Sequence, residues 1–136
     1  MIKDIIHDPV FLAQKSAPAT TDDADIADDL LDTLKANSEI CVGLAANMTG
    51  KAKCIIVFDD KGKYSEMFNP VIIAKKEPYE TEEGCLSLSG VRKTKRYNTI
   101  KVKWQTRDMQ TRIKNFTGIT AQIIQHEIDH CNGILI

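Results

Sequence analysis

The stretch from Gly118 to Cys131 restricts the possible folds more than any other part of this sequence. Successive residues of a helix turn by about 100°, so Ile119, Ile123, His126 and His130 fall within about 60° of one another, whereas Ile124 and Ile128 lie on the far side. Apolar residues on opposite faces require a helix buried nearly all round. Other elements must therefore surround it, and most of the segments before it read as strands. The expected fold is α+β, with antiparallel β-sheets wrapped around this central C-terminal helix and a second helix near the N-terminus.

That second helix is expected over about 24–37. Ile26, Leu30, Leu31 and Leu34 recur at helical spacing, the first turn is rich in Asp, and Asn37-Ser38 supplies the stop. The acidic run from Asp22 to Asp29 reads as a solvated helix start. Lys53 to Phe58 is short, apolar and β-branched, and the turn residues Asp59 to Lys63 lead into Tyr64 to Phe68, which makes a hairpin. Val71 to Ile73, opened by Asn69-Pro70, reads as a separate strand. Thr99 to Thr106 alternates Ile100, Val102 and Trp104 against polar residues, and Arg107 to Gln110 turns the chain into Thr111 to Phe116.

A chain of 136 residues suits one domain, 1–136, with one core. A formal charge of -1 argues against nucleic-acid or anionic-lipid partners. No run of apolar residues is long enough for a membrane helix and no signal-peptide core follows Met1, so the expected location is the cytoplasm. In a reducing compartment Cys41, Cys54, Cys85 and Cys131 are free thiols or metal ligands.

His126-Glu127-Ile128-Asp129-His130 has the form H-E-x-x-H. Imidazoles one helical turn apart can grip one ion, and the Glu beside the first can act on a water there. The plainer alternative is two core histidines and a surface Glu. Three polar residues on a buried helix need partners, which favours the metal. A catalytic site needs a third protein ligand. Neither the His of the metzincin pattern nor a downstream Glu follows His130, although Gly133 matches that pattern's glycine, so the ligand is sought upstream. His7, the carboxylates, Cys41, Cys54 and Cys85 are the candidates. Cys54 lies in an apolar run and reads as an inert buried thiol. Gly84 and Ser87 around Cys85 suit close backbone approach to a ligand site, a mild preference that leaves Cys41 open.

Three segments together resemble the peptide deformylase family: Val42-Gly43-Leu44-Ala45-Ala46, Glu83-Gly84-Cys85-Leu86-Ser87 and His126 to His130, in the family's order. Asp8-Pro9-Val10 fits as well. The resemblance implies removal of the formyl group from N-formylmethionyl peptides, with release of formate. It implies one divalent ion on Cys85, His126 and His130, often ferrous iron in the family, with zinc, nickel or cobalt compatible with the same donors. It makes Glu127 the general acid/base, the Leu86 N–H an oxyanion donor, and Gly43 and Arg92 substrate-side residues. A formylated peptide is the implied partner, with transient contact to the ribosome. Arg92 reads equally well as one of several solvated cations between Arg92 and Arg96. Asp129 and Glu83 are candidates to orient the ligands, against a plain surface or capping role.

The sequence departs from the family signature where its closing Gln is Met48 and its first Gly is Cys41. Methionine has no N–H to offer a developing oxyanion. Three readings follow: a deformylase with weakened oxyanion support, a low-activity paralogue that binds metal or formylated peptides, and a closed structural zinc site with Cys41 as fourth ligand.

Overall fold

The computed structural model describes residues 1–136. Three helices, α1 (Pro9–Leu12), α2 (Ala24–Ala36) and α3 (Gly118–Cys131), accompany one antiparallel sheet ordered β1-β2-β3-β4-β5. Its strands are β1 (Gly43–Ala45), β2 (Ile55–Asp60), β3 (Lys63–Gly84), β4 (Val91–Gln105) and β5 (Thr111–Thr117). The sheet is a meander around α3, which matches the α+β expectation. Ten of the fourteen α3 residues are buried, and both Ile124 and His130 are fully enclosed. Ile119 departs from the all-round burial: it is 63% exposed.

α2 buries Ala27, Leu30, Thr33 and Leu34 against the sheet. Its entry is a short 3-10 turn, Thr21–Asp23, where Thr20 and Asp23 bond each other's backbone in a capping box. Part of the acidic run therefore has structural work, and Asp28 also accepts from Arg107 at 2.9 Å. At the β2–β3 hairpin Lys61 and Gly62 both take positive φ, as a two-residue turn matched to strand twist requires.

Asn69-Pro70 does not open a separate strand. It sits within β3, where the register to β4 shifts between Phe68 and Val71, and Asn69 adopts φ 52°. Proline cannot join the hydrogen-bond ladder, and a bulge is the place in a sheet that tolerates it. A second irregularity lies between Ile72 and Ala74. These bulges bend one long strand over α3 where two straight ones were expected. Cys54 also differs from its expected strand position: it precedes β2 and is half-buried.

One cluster of 24 buried apolar residues runs from Leu12 through β2 and β4 to Cys131. Gly133 ends α3 at φ 74°, and a Cβ there would stand 2.5 Å from the Ala13 carbonyl oxygen. Only glycine lets the helix end pack this tightly on the N-terminal segment.

Candidate metal centre and its pocket

α3 presents His126 and His130 on one face, one turn apart, and the loop after β3 brings Cys85 to them. The Nε2 atoms of the two histidines are 3.2 Å apart, and the Cys85 Sγ is 3.2 Å from Nε2 of His130. All three donor atoms lie within 4.8 Å of one another. No other group of donors in the chain converges in this way. One thiol and two imidazoles suit a borderline transition ion and disfavour calcium or magnesium, so the donor set fits the metal that the sequence pattern implies.

The surrounding groups hold these donors in place. His126 Nδ1 meets Glu83 Oε1 at 2.8 Å, which turns Nε2 inward to the other donors. Arg96, 4% exposed, donates to both oxygens of Glu83 and to Asp129 Oδ2 at 2.6 Å. Gln122 adds an amide bond to Glu83 Oε2 at 2.8 Å. Burial pushes the Glu83 carboxyl up, but bonds from His126, Arg96 and Gln122 outweigh it and hold the group down at about 2. Burial opposes a proton on His126, yet Cys85 and Glu83 raise it to about 10. His130 is pushed down to about 3 by burial and by the charges of His126 and Arg96.

Glu127 is 4% exposed, and burial lifts its carboxyl to about 7, with His126 opposing. β1 packs directly on it: a Cβ on Gly43 would lie 2.9 Å from Glu127 Oε2 and 2.8 Å from Ile123. The glycine is needed for this approach. Beside the donors opens a cavity of about 250 Å³, lined among others by Val42, Gly43, Leu86, Ile119, Ile123 and Glu127. Ile119 is exposed because it forms part of this mouth.

Cys85, His126, His130, Glu127, Leu86 and Gly43 are thus brought to one place. Arg92 is not among the residues lining the cavity; its guanidinium donates to the Ser89 carbonyl at 3.4 Å. Cys41 lines the cavity but stands outside the converging donors, its thiol donating to the Gly43 carbonyl at 3.0 Å. A closed four-ligand zinc site has no support in that arrangement. Met48 is 1% exposed, with its sulfur accepting from the Ala45 N–H at 3.4 Å.

Sequence reasoning missed Arg96, Gln122 and Asn47. Arg96 was grouped with solvated cations, yet it shares the parity of the buried Ile100 and Val102 in β4, and carrying that alternation backwards would have turned it inward. Asn47 precedes Met48 in the first motif, and its Nδ2 donates to the His130 carbonyl at 2.9 Å.

Fold and site define an H-E-x-x-H hydrolase whose third donor is a cysteine from a sheet loop. Residues 2–136 match the family model described as polypeptide deformylase. The peptide deformylase of Clostridium beijerinckii is 57% identical over 136 residues, covering 100% of both chains. That of Desulfitobacterium hafniense is 38% identical over 129 residues, covering 91% of this chain and 84% of its own. Among solved structures, the class I type b peptide deformylase of Acinetobacter baumannii bound to Met-Ala-Ser superposes with a TM-score of 0.89 at 27% identity, covering 99% and 97% of the two chains. The Thermotoga maritima peptide deformylase gives 0.88 at 30% identity, with 99% and 95% covered. This chain belongs to the peptide deformylase family.

Proposed function

We infer that this chain hydrolyses the N-formyl group of N-formylmethionyl peptides, releasing formate and a free amine. The observation that carries the reading is the convergence of the Cys85, His126 and His130 donors beside a cavity that Cys85, His126 and Glu127 line, in a chain of this family. The Acinetobacter baumannii relative binds Met-Ala-Ser, which supports a peptide beginning with methionine as the ligand class.

Cys85, His126 and His130 are the residues assigned to hold the ion. Ferrous iron is the assignment in the cell, and zinc, nickel and cobalt suit the same donors. When bound, a divalent ion supplies Lewis acidity, favouring ionisation of water and polarising the formyl carbonyl.

The remaining work falls to the protein. Glu127 titrates near neutrality, which suits a group that takes the proton of the attacking water and passes it to the departing nitrogen. Gly43 offers backbone to align the peptide, and the Leu86 N–H is assigned to the developing oxyanion. Val42, Ile119 and Ile123 give the cavity apolar walls suited to a methionine side chain. Residues 1–136 act as one domain, in keeping with their single core cluster. No helix is long and apolar enough to cross a membrane. The cytoplasm, where formylated chains are made, is the assigned location, with transient contact to the ribosome.

Formate release from formyl-Met-Ala-Ser by iron- or nickel-loaded protein tests the assignment. E127A should lose activity by a factor of a thousand or so, since general acid/base catalysis is worth about 10²–10⁴. Equal rates for E127A and the parent protein would refute Glu127 as the base.

A further inference from the structure

The two histidines differ in how their second ring nitrogen is served. Nδ1 of His126 is taken by Glu83 at 2.8 Å, whereas Nδ1 of the fully buried His130 meets no protein partner. An imidazole that coordinates through Nε2 carries its proton on Nδ1, and that N–H almost always donates to a carboxylate, a carbonyl or a water. Leaving it buried and unpaired costs free energy and frees the ring to tilt.

The buried side-chain oxygens that also lack a partner are Ser16 Oγ, Asn47 Oδ1, Ser87 Oγ and Glu127 Oε1. Asn47 is the one already bonded to His130, through Nδ2 and the backbone carbonyl at 2.9 Å. A carbonyl only accepts, so this bond decides the orientation of the amide and leaves Oδ1 as the uncommitted acceptor. Asn47 is 1% exposed and lies in the 3-10 turn Ala46–Thr49, directly after the strand that packs Gly43 on Glu127. Ser16 bonds the next residue instead, its N–H donating to the Cys131 carbonyl at 2.9 Å. Ser87 belongs to the Cys85 loop, and its carbonyl accepts from or faces His7 Nδ1 at 2.9 Å.

We propose that Asn47 is a positioning residue for His130: Nδ2 fixes the helix backbone, and Oδ1 receives the ring Nδ1–H through one buried water. Asn47 Oδ1 is an unpaired acceptor and His130 Nδ1 an unpaired donor, and the bond from Asn47 Nδ2 to the His130 backbone carbonyl at 2.9 Å keeps the two residues adjacent, which suits such a bridge. Asn47 thereby sets the tautomer and the tilt of a ring whose other nitrogen faces Cys85 and His126. The proposal rests on His130 as a metal ligand.

Its test begins with the unaltered protein loaded with zinc. A ¹H–¹⁵N spectrum should show a slowly exchanging proton on His130 Nδ1, and a crystal structure should place a water within hydrogen-bond distance of both Nδ1 and Asn47 Oδ1. An unprotonated Nδ1, or a water bridging His130 to Ser16 and not to Asn47, overturns the proposal. Next, N47L and S16A are titrated with zinc against a competing chelator. N47L should bind ten- to a hundredfold more weakly, the range found when such an orienting partner is lost, while S16A stays within twofold. At saturating zinc N47L should lower kcat and leave KM for formyl-Met-Ala-Ser within twofold, because Asn47 does not line the cavity. Unchanged zinc affinity in folded N47L also overturns it. Failure of the unaltered protein to bind zinc would remove the underlying ligand assignment, a separate outcome.

Discussion

Met48 ends the first motif where the family signature has Gln, and its surroundings explain how the sequence accommodates the change. The side chain is fully packed, and its sulfur takes the Ala45 N–H, so it fits the turn but offers no donor to the cavity it lines. A preorganised oxyanion donor is worth about a hundred- to a thousandfold in rate. M48Q should therefore raise kcat by roughly a hundredfold. No rise would mean that oxyanion support in this chain does not depend on that position. Cys41, the other departure, makes a pH prediction. Burial raises its thiol from 9.0 to about 11. A folded-state value above the unfolded one gives stability that is complete below pH 9.0 and lost as pH rises through about 11. Thermal unfolding compared with C41G should show the stability difference shrinking in the parent protein's disfavour between those limits. A difference independent of pH over that window would contradict the burial of the thiol.

Among the elements, β4 matters most to the centre because Arg96 ties it to both β3 and α3. The guanidinium holds Glu83 and Asp129 together, and Glu83 in turn holds His126. R96M leaves two carboxylates without their cation, one of them buried, and should cost about 3–5 kcal/mol in urea unfolding. R96K keeps the charge but not the fork, and should recover only part of that loss. A loss below 1 kcal/mol in R96M would show that water can replace the arginine, roughly as at an exposed pair. Legibility in the sequence followed the same lines. α3 was readable because its residues alone fix the spacing of the two imidazoles and the burial of both faces. The choice between Cys85 and Cys41 was not, since it depends on how a distant loop returns, and only the family likeness favoured Cys85 strongly. Arg96 was hidden in a run of cations, where local charge pattern competes with strand parity. The continuity of β3 through Asn69-Pro70 was hidden because proline ordinarily ends a ladder, and only the paired strand reveals the bulge.

Seen as a whole, the molecule places its three candidate donors on two bodies that the chain joins only distantly: Cys85 on the loop between β3 and β4, and the histidines on the helix that the sheet encloses. An ion on these donors would act as a cross-link between the sheet loop and the core helix. Anything that binds the folded state alone stabilises it by RT ln(1 + [L]/Kd), about 4 kcal/mol at a thousandfold excess over Kd. For a domain of this size that corresponds to a shift in Tm of roughly 14 °C. Chelation should lower Tm by about that amount, and zinc or nickel should restore it. In C85A the same additions should move Tm far less, since the remaining imidazoles share one helix and cannot bridge the two bodies. A chelator-insensitive Tm in the metal-loaded parent protein would separate the ion from the fold, and equal shifts in C85A would place it on donors other than this thiol.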